Sequence, residues 1–326
     1  MFPTNATVSV LRSVALAAIG ALILTVPARA AESKTQAPEA KQKPSAARQK
    51  TFPAPEEAAQ ELVAAAKAGD SRALLAILGP EAIQIVSSGD AVADEQGRER
   101  FVKAYEEANK LEKSGDARVV LSVGKDAWPF PIPIVKEATG WRFDTMAGKE
   151  EILNRRIGRN EISAMQAMLA YVDAQREYYL ANPQKEKLLQ YAQRFISTKG
   201  KRDGLYFPTT AQERPSPLGP LFDSARAEGY AKGEKGKPTP YHGYHFRILK
   251  RQGPAAPDGT YDYVVDGTMI GGFALVAWPA SYGNSGVMTF IVNHDGVVYE
   301  KDLGPETAEV VQQVTSYDPD KTWKRP

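Results

Sequence analysis

Apolar positions along the chain follow two rhythms. Between residues 55 and 111, and again between 150 and 199, they recur every three or four residues, as on one face of a helix. Between 117 and 143, and from 241 to 303, they alternate or run in short blocks broken by Gly, Pro and Asp, as in strands joined by turns. "PEEAAQELVAAAKAGD" predicts a helix opened by Pro55 and two acids and closed by Gly69. "SRALLAILGP" predicts a second, capped by Asp70 or Ser71 and stopped at Gly79-Pro80. "EAIQIVSS" alternates as a strand would. "DEQGRERFVKAYEEANKL" predicts a third helix with Phe101, Tyr105 and Leu111 on its apolar side. Three strand-like runs follow, "ARVVLSVG", "FPIPIVKEA" and "GWRFDTM", the last two joined by a hairpin turn at Ala138-Thr139-Gly140.

The second half repeats the order. A long helix runs from Glu150 to Asn182-Pro183, with Ile162, Met165, Leu169, Val172 and Tyr179 on one face. "QKEKLLQYAQRFIST" predicts a partner helix and "LFDSARAEGY" a short one. Five strand candidates then alternate with turn signals: "YHGYHFRILK", "YDYVVDG", "GGFALVAWP", "GVMTFIVN" and "VVYEKDL". "GPETAEVVQQVTSY" predicts a closing helix. The fold class expected is α+β. Cone-like helices with a curved antiparallel sheet form residues 51–149, and a helical hairpin packed on an antiparallel β-meander forms residues 150–326.

The first fifty residues lie outside this pattern. Arg12 precedes the run Ser13 to Val26, and Ala28-Arg29-Ala30 is a small-x-small site. That is the layout of a secretory signal peptide, residues 1–30. The run is short for a bilayer span of about 20 residues, so no stable membrane insertion is expected after cleavage. Residues 31–50 are polar and rich in Ala, Pro and Lys, and read as a disordered tether. The expected location is periplasmic or secreted.

Charge and composition narrow the chemistry. The net charge of +2 rests on Arg12 and Arg29; without them the 39 acidic side chains are balanced, which removes the electrostatic footprint of a nucleic-acid partner. "NRRIGR" reads as part of an acid-rich helix and "KGEKGK" as a solvated loop. The absence of Cys excludes disulfides, thiolate zinc sites and iron–sulfur clusters. Only three His are present: His242 and His245 in "PYHGYHF", and His294 in "NHDG". Strand alternation sends His242 and His245 to opposite faces, so no metal site and no cofactor is expected. "SYGNSG" does not match a nucleophile elbow, and "DGTMIGGF" lacks phosphate-loop spacing. Asp144, Glu150, Glu151, Glu161, Asp173 and Glu177 read as solvated helix acids. The aromatics of the β-rich half suggest a groove, and Tyr241, His242, Tyr244, Trp278, Tyr282 and His294 are its candidate ligand-binding residues.

Several long runs carry a resemblance. "GWRFDTMAGKEEILNRRIGRNE", "AYVDAQREYY", "YHGYHFRIL" and "GGFALVAWPASYGNSGVMTFIVNHDGVVYEKDLG" together resemble Domain of Unknown Function 2950, a family of exported bacterial proteins. The resemblance spans residues 52–318. It implies a signal peptide and an envelope location, and it assigns no catalytic residue. Within it, residues 55–147, through "AAAKAGDSRALLAILGPEA" and the closing "GWRFD", resemble the nuclear transport factor 2-like cone fold. The long helix ending in "AQREYYLANP", followed by the sheet with "DGVVYEKDLG", looks like the head of type IV pilins. The role expected is non-catalytic: an envelope binding or assembly factor acting through the β-rich half on an envelope protein or glycan. The alternative is a periplasmic hydrolase using the first-domain cavity or the His242/His294 region. Export predicts a mature N-terminus at Ala31, which intact-mass measurement of periplasmic protein checks; a membrane-bound form retaining residues 1–30 contradicts it.

Overall fold

The computed structural model describes residues 49–230 and 239–326. The leader, the tether as far as residue 48, and the "KGEKGK" loop lie outside the described residues. Gln49 and Lys50, assigned above to the tether, already belong to the fold. The Gln49 amide donates to the carbonyls of Ile77 (2.9 Å) and Phe143 (2.8 Å), and the Lys50 N–H to Ala76 (2.8 Å).

The α+β class holds. Helices α1 (Pro55–Ala68), α2 (Ser71–Leu78), α3 (Ile83–Val86) and α4 (Ala91–Glu107) precede the strands β1 (Asn109–Lys113), β2 (Arg118–Val123), β3 (Trp128–Pro129), β4 (Ile134–Glu137) and β5 (Gly140–Phe143). Caps follow the sequence signals. Pro55 starts α1 and Gly69 ends it at φ 64°, while the Asp70 carboxylate accepts the Ala73 N–H at the start of α2. The sheet runs in the order β1-β2-β4-β5, with β3 also on β2, all antiparallel. Its inner face meets α1 and α2 in a first core built on Leu62, Leu74, Leu78, Leu121, Ile134 and Phe143.

"EAIQIVSS" is not a strand. It forms a 3-10 turn at Pro80–Ala82 and the short α3, because Gly79 takes φ 89° and Pro80 opens a helical turn. Ala82 and Val86 are buried at helical spacing while Ile83 is exposed. Leu111, assigned above to a helix, lies in β1, since α4 ends at Glu107.

Helix α5 (Thr145–Ala181) passes from the first core to the second, so the boundary expected at 149/150 falls inside it. Its buried face overlaps the predicted one only in part: Val172 is buried and Met165 packs against the second core, as expected. Ala164, Ala167, Met168, Tyr171, Ala174, Gln175 and Tyr178 turn inward, and Ile162 and Leu169 are exposed. Small residues let the helix approach the sheet closely, and the two tyrosines bury their rings while bonding the Ala274 and Arg202 carbonyls.

The predicted partner helix at 184–198 is absent. Gln175, fully buried, explains part of this: its amide donates to the Ala192 carbonyl (2.7 Å) and accepts the Ala192 N–H (2.8 Å), occupying groups a helix would need. Tyr191 donates its N–H to Met269, so the segment becomes a strap tied to the sheet region. Helix α6 (Gly219–Ala227) follows.

The main second sheet is formed by β6 (Tyr244–Leu249), β11 (Ala274–Pro279), β12 (Met288–Asn293) and β13 (Tyr299–Asp302), antiparallel in the order β13-β12-β11-β6. Between β6 and β11 the chain makes β7 (Arg251–Gln252), which pairs with β8 (Tyr261–Asp262), and β9 (Val264–Val265), which pairs with β10 (Thr268–Met269). Almost every residue of β11 and β12 is buried, as expected of central strands covered on both faces. The closing helix is shorter than predicted, α7 (Thr307–Val310) with a 3-10 turn at Val311–Gln313. Near the C-terminus, Glu300 and Lys324 exchange both backbone hydrogen bonds (2.8 and 3.0 Å), laying the tail along β13. Among the described residues, no helix is long and apolar enough to cross a membrane.

Two glycines of α5 test the packing. A Cβ on Gly148 would stand 2.3 Å from the Pro131 carbonyl oxygen, whereas one on Gly158 would meet nothing within 4 Å. Gly148→Ala is expected to destabilise the fold by about 2 kcal/mol or more in urea titration. Gly158→Ala is expected to stabilise it by about 0.5–1 kcal/mol.

Candidate functional site

Helix α4 is unusual: none of its residues is fully buried. Ala93, Gly97, Phe101 and Ala104 share one face at helical spacing, and that face borders a cleft of about 690 Å³, with Phe101 and Ala104 packed at the edge of the first core. The floor is apolar, from Leu62, Leu74, Leu78, Val123 and Phe130. The small side chains at 93, 97 and 104 are what leave it open.

The rim is cationic. Arg98 and Arg100 come from α4, and Arg156 and Arg159 from successive turns of α5. Arg156 donates to the carbonyls of Gln84 (2.5 Å) and Ile85 (2.7 Å) and to Asn284 Oδ1 (2.6 Å). Among the described residues, none of the four arginines has a carboxylate at ion-pair distance. Burial pushes the Arg156 guanidinium below its ordinary value, partly offset by Asp94. Burial, then the nearby charges of Arg100 and Arg155, does the same to Arg159. Asp94, the single carboxylate lining the cleft among the described residues, accepts the Ser88 N–H at 2.9 Å.

One end of the cleft is closed by a polar knot. Asp90, buried at the start of α4, accepts the N–H of Ala93 (3.0 Å), the N–H of Gly243 (2.8 Å) and the Tyr230 hydroxyl (2.9 Å). That hydroxyl in turn accepts the His242 N–H at 3.2 Å. Burial first, and then Asp90, raises the Tyr230 phenol far above its usual value and keeps it a donor. His242 Nε2 stands 3.1 Å from Glu228 Oε2, close but without hydrogen-bond alignment.

The six residues predicted to form an aromatic groove do not form one. His242 borders the cleft, with Tyr241 stacked edge-on at 4.2 Å between centroids. Tyr244 is fully buried and donates to the Met288 carbonyl, so its ring is core. Trp278 packs on His245 and beneath Arg247. Tyr282 donates to Asp302. His294 lies at the far end of the sheet, against Tyr263 and Phe273. Residues 243 and 294 flank opposite ends of a six-residue strand register, roughly 20 Å apart, so His242 and His294 do not make one region. The alternation argument for His242 and His245 also fails in its premise: His242 sits in a turn at φ 48°, before β6 begins.

A match to the family described as "protein of unknown function (DUF2950)" spans residues 49–325. The chain belongs to this family. No curated protein and no solved structure matches it. In this DUF2950 chain the arginine rim escaped the sequence analysis, because "NRRIGR" reads as part of a solvated helix. A signal was present. Arg155 has Glu151 one turn before it and pairs with it, but Arg100, Arg156 and Arg159 have no acid three or four residues away on either side.

His245 gives a pH test. Burial holds its imidazole below the ordinary value of 6.5. The unfolded chain therefore binds the proton first on acidification, and stability present above pH 6.5 is lost as the pH falls below it. His245→Phe keeps the packing on Trp278 and is expected to flatten stability between pH 7 and 5, measured by urea unfolding at each pH.

Proposed function

We propose that this DUF2950 protein is an exported, non-catalytic binding protein of the cell envelope, and that its ligand site is the cleft between α4 and the first core. The observation that carries this reading is the combination of an apolar floor, a volume of about 690 Å³ and a polar rim. Ligand sites of this kind typically enclose about 300–1,000 Å³, mostly apolar, with a few polar groups that orient the guest. The side chains on α4 that keep the cleft open support the same reading, since larger apolar residues there would have filled it. Export rests on the signal-peptide layout of residues 1–30.

The cleft can be blocked without disturbing the backbone. A Cβ at Gly97 meets only the tip of Arg100, at 3.9 Å. The neutral dye Nile red is expected to bind the wild-type protein with an emission shift, and Gly97→Trp is expected to abolish that shift while leaving Tm unchanged or raised. Equal dye binding by both proteins would place the site elsewhere.

A further inference from the structure

We infer that the cleft takes a single-chain anionic amphiphile, its acyl chain on the apolar floor and its carboxylate or phosphate head between Arg100 and Arg159. This rests on the cleft being the ligand site.

Three observations converge on that class. The floor is hydrocarbon drawn from α1, α2, β2 and the segment after β3, and none of Leu62, Leu74, Leu78, Val123 or Phe130 brings a polar group that would recognise a sugar or a peptide backbone. A chain of methylenes satisfies such a surface without leaving a buried donor or acceptor unpaired. The rim gathers cations that face no carboxylate at ion-pair distance among the described residues. Elsewhere, Arg142, Arg155, Arg202 and Arg251 each face a carboxylate, while the other arginines without one, such as Arg72, Arg118 and Arg214, are scattered and do not gather at a cleft. Around the cleft, Arg98, Arg100 and Arg159 have no such partner among the described residues, and Arg156 is held by carbonyls and an amide. Arg100 and Arg159 line the same cleft from two helices, and the charge of Arg100 disfavours that of Arg159. An anion between them removes that repulsion and gains charge-assisted hydrogen bonds from two planar donors. Finally, among the described residues the one acid lining the cleft is Asp94, with an oxygen that accepts the Ser88 N–H. Four arginines against this one acid favour an anionic head over a cationic one.

The experiment displaces Nile red from the full mature protein with dodecanoate, dodecanol and dodecyltrimethylammonium, each below its micelle concentration. Trp128, which lines the cleft, provides a second fluorescence signal. Dodecanoate is expected to compete about 10- to 100-fold better than dodecanol, and dodecyltrimethylammonium worse than either. Dodecyl phosphate should match dodecanoate, and inorganic phosphate alone should fail. Affinity should rise roughly two- to fourfold per methylene from octanoate to dodecanoate. The double variant Arg100→Gln/Arg159→Gln should remove the advantage of dodecanoate while leaving dodecanol and Nile red unaffected.

Dodecanol or the cationic chain binding as well as dodecanoate would overturn the anionic head. Displacement by inorganic phosphate as effective as by dodecanoate would overturn the chain. Nile red bound in the Gly97→Trp-sensitive site but displaced by none of the three would overturn the ligand class and leave the cleft reading intact. Failure of Nile red to bind would overturn the cleft reading itself.

Discussion

The guanidinium of Arg156 ties α3 and α5 to the loop that carries Asn284. Helix α3 is a single turn, too short to be stable alone, and its last carbonyls lack helical partners. Arg156 bonds two of them, at Gln84 and Ile85, and reaches Asn284, whose amide donates to Ser87. One turn further along α5, Asn160 donates to the Ser285 carbonyl and Glu161 accepts the N–H groups of Val287 and Met288. The first core, the long helix and the second sheet are thus fastened by three successive polar side chains on one stretch of helix. Buried hydrogen bonds of this kind act less by net energy than by penalising any arrangement that breaks them.

That fastening also explains the cleft. Arg156 fixes α3 to α5 on one side of the gap beneath α4, and closing the gap from that side would break these bonds. The small residues of α4 make no demand for closure. A void lined by apolar side chains forfeits dispersion contacts, and here the loss is concentrated on one wall. The charges around its mouth are drawn from the same two helices that set its width, so geometry and electrostatics share one origin.

The elements that were legible in the sequence are those set by local signals. Pro55 with Gly69, Asp70, the Ala138-Thr139 turn and Asn182-Pro183 each mark a boundary that the chain honours. The failures share a cause in long-range contacts. Residues 184–198 have helical periodicity, but Gln175 and Met269 take their backbone groups. The buried face of α5 is lined by Ala because a sheet lies close against it, a condition that no window of sequence contains. The candidate site was misplaced for the same reason. The aromatics at 241–299 are conspicuous in the sequence yet serve mainly in packing, while the arginines were legible as a cluster but not as a rim, since α4 and α5 meet only in three dimensions.

The C-terminal tail bears on how the protein behaves in company. Strand β13 is the outermost of its sheet and would present a row of free N–H and C=O groups, a template onto which a strand of another molecule can add. Lys324 closes part of that row by pairing with Glu300, and Trp323 lies under Lys301. The chain thereby occupies with its own last residues a position that a second copy would otherwise compete for. Resistance to strand-by-strand self-association is thus built into a few residues that contribute little to the core.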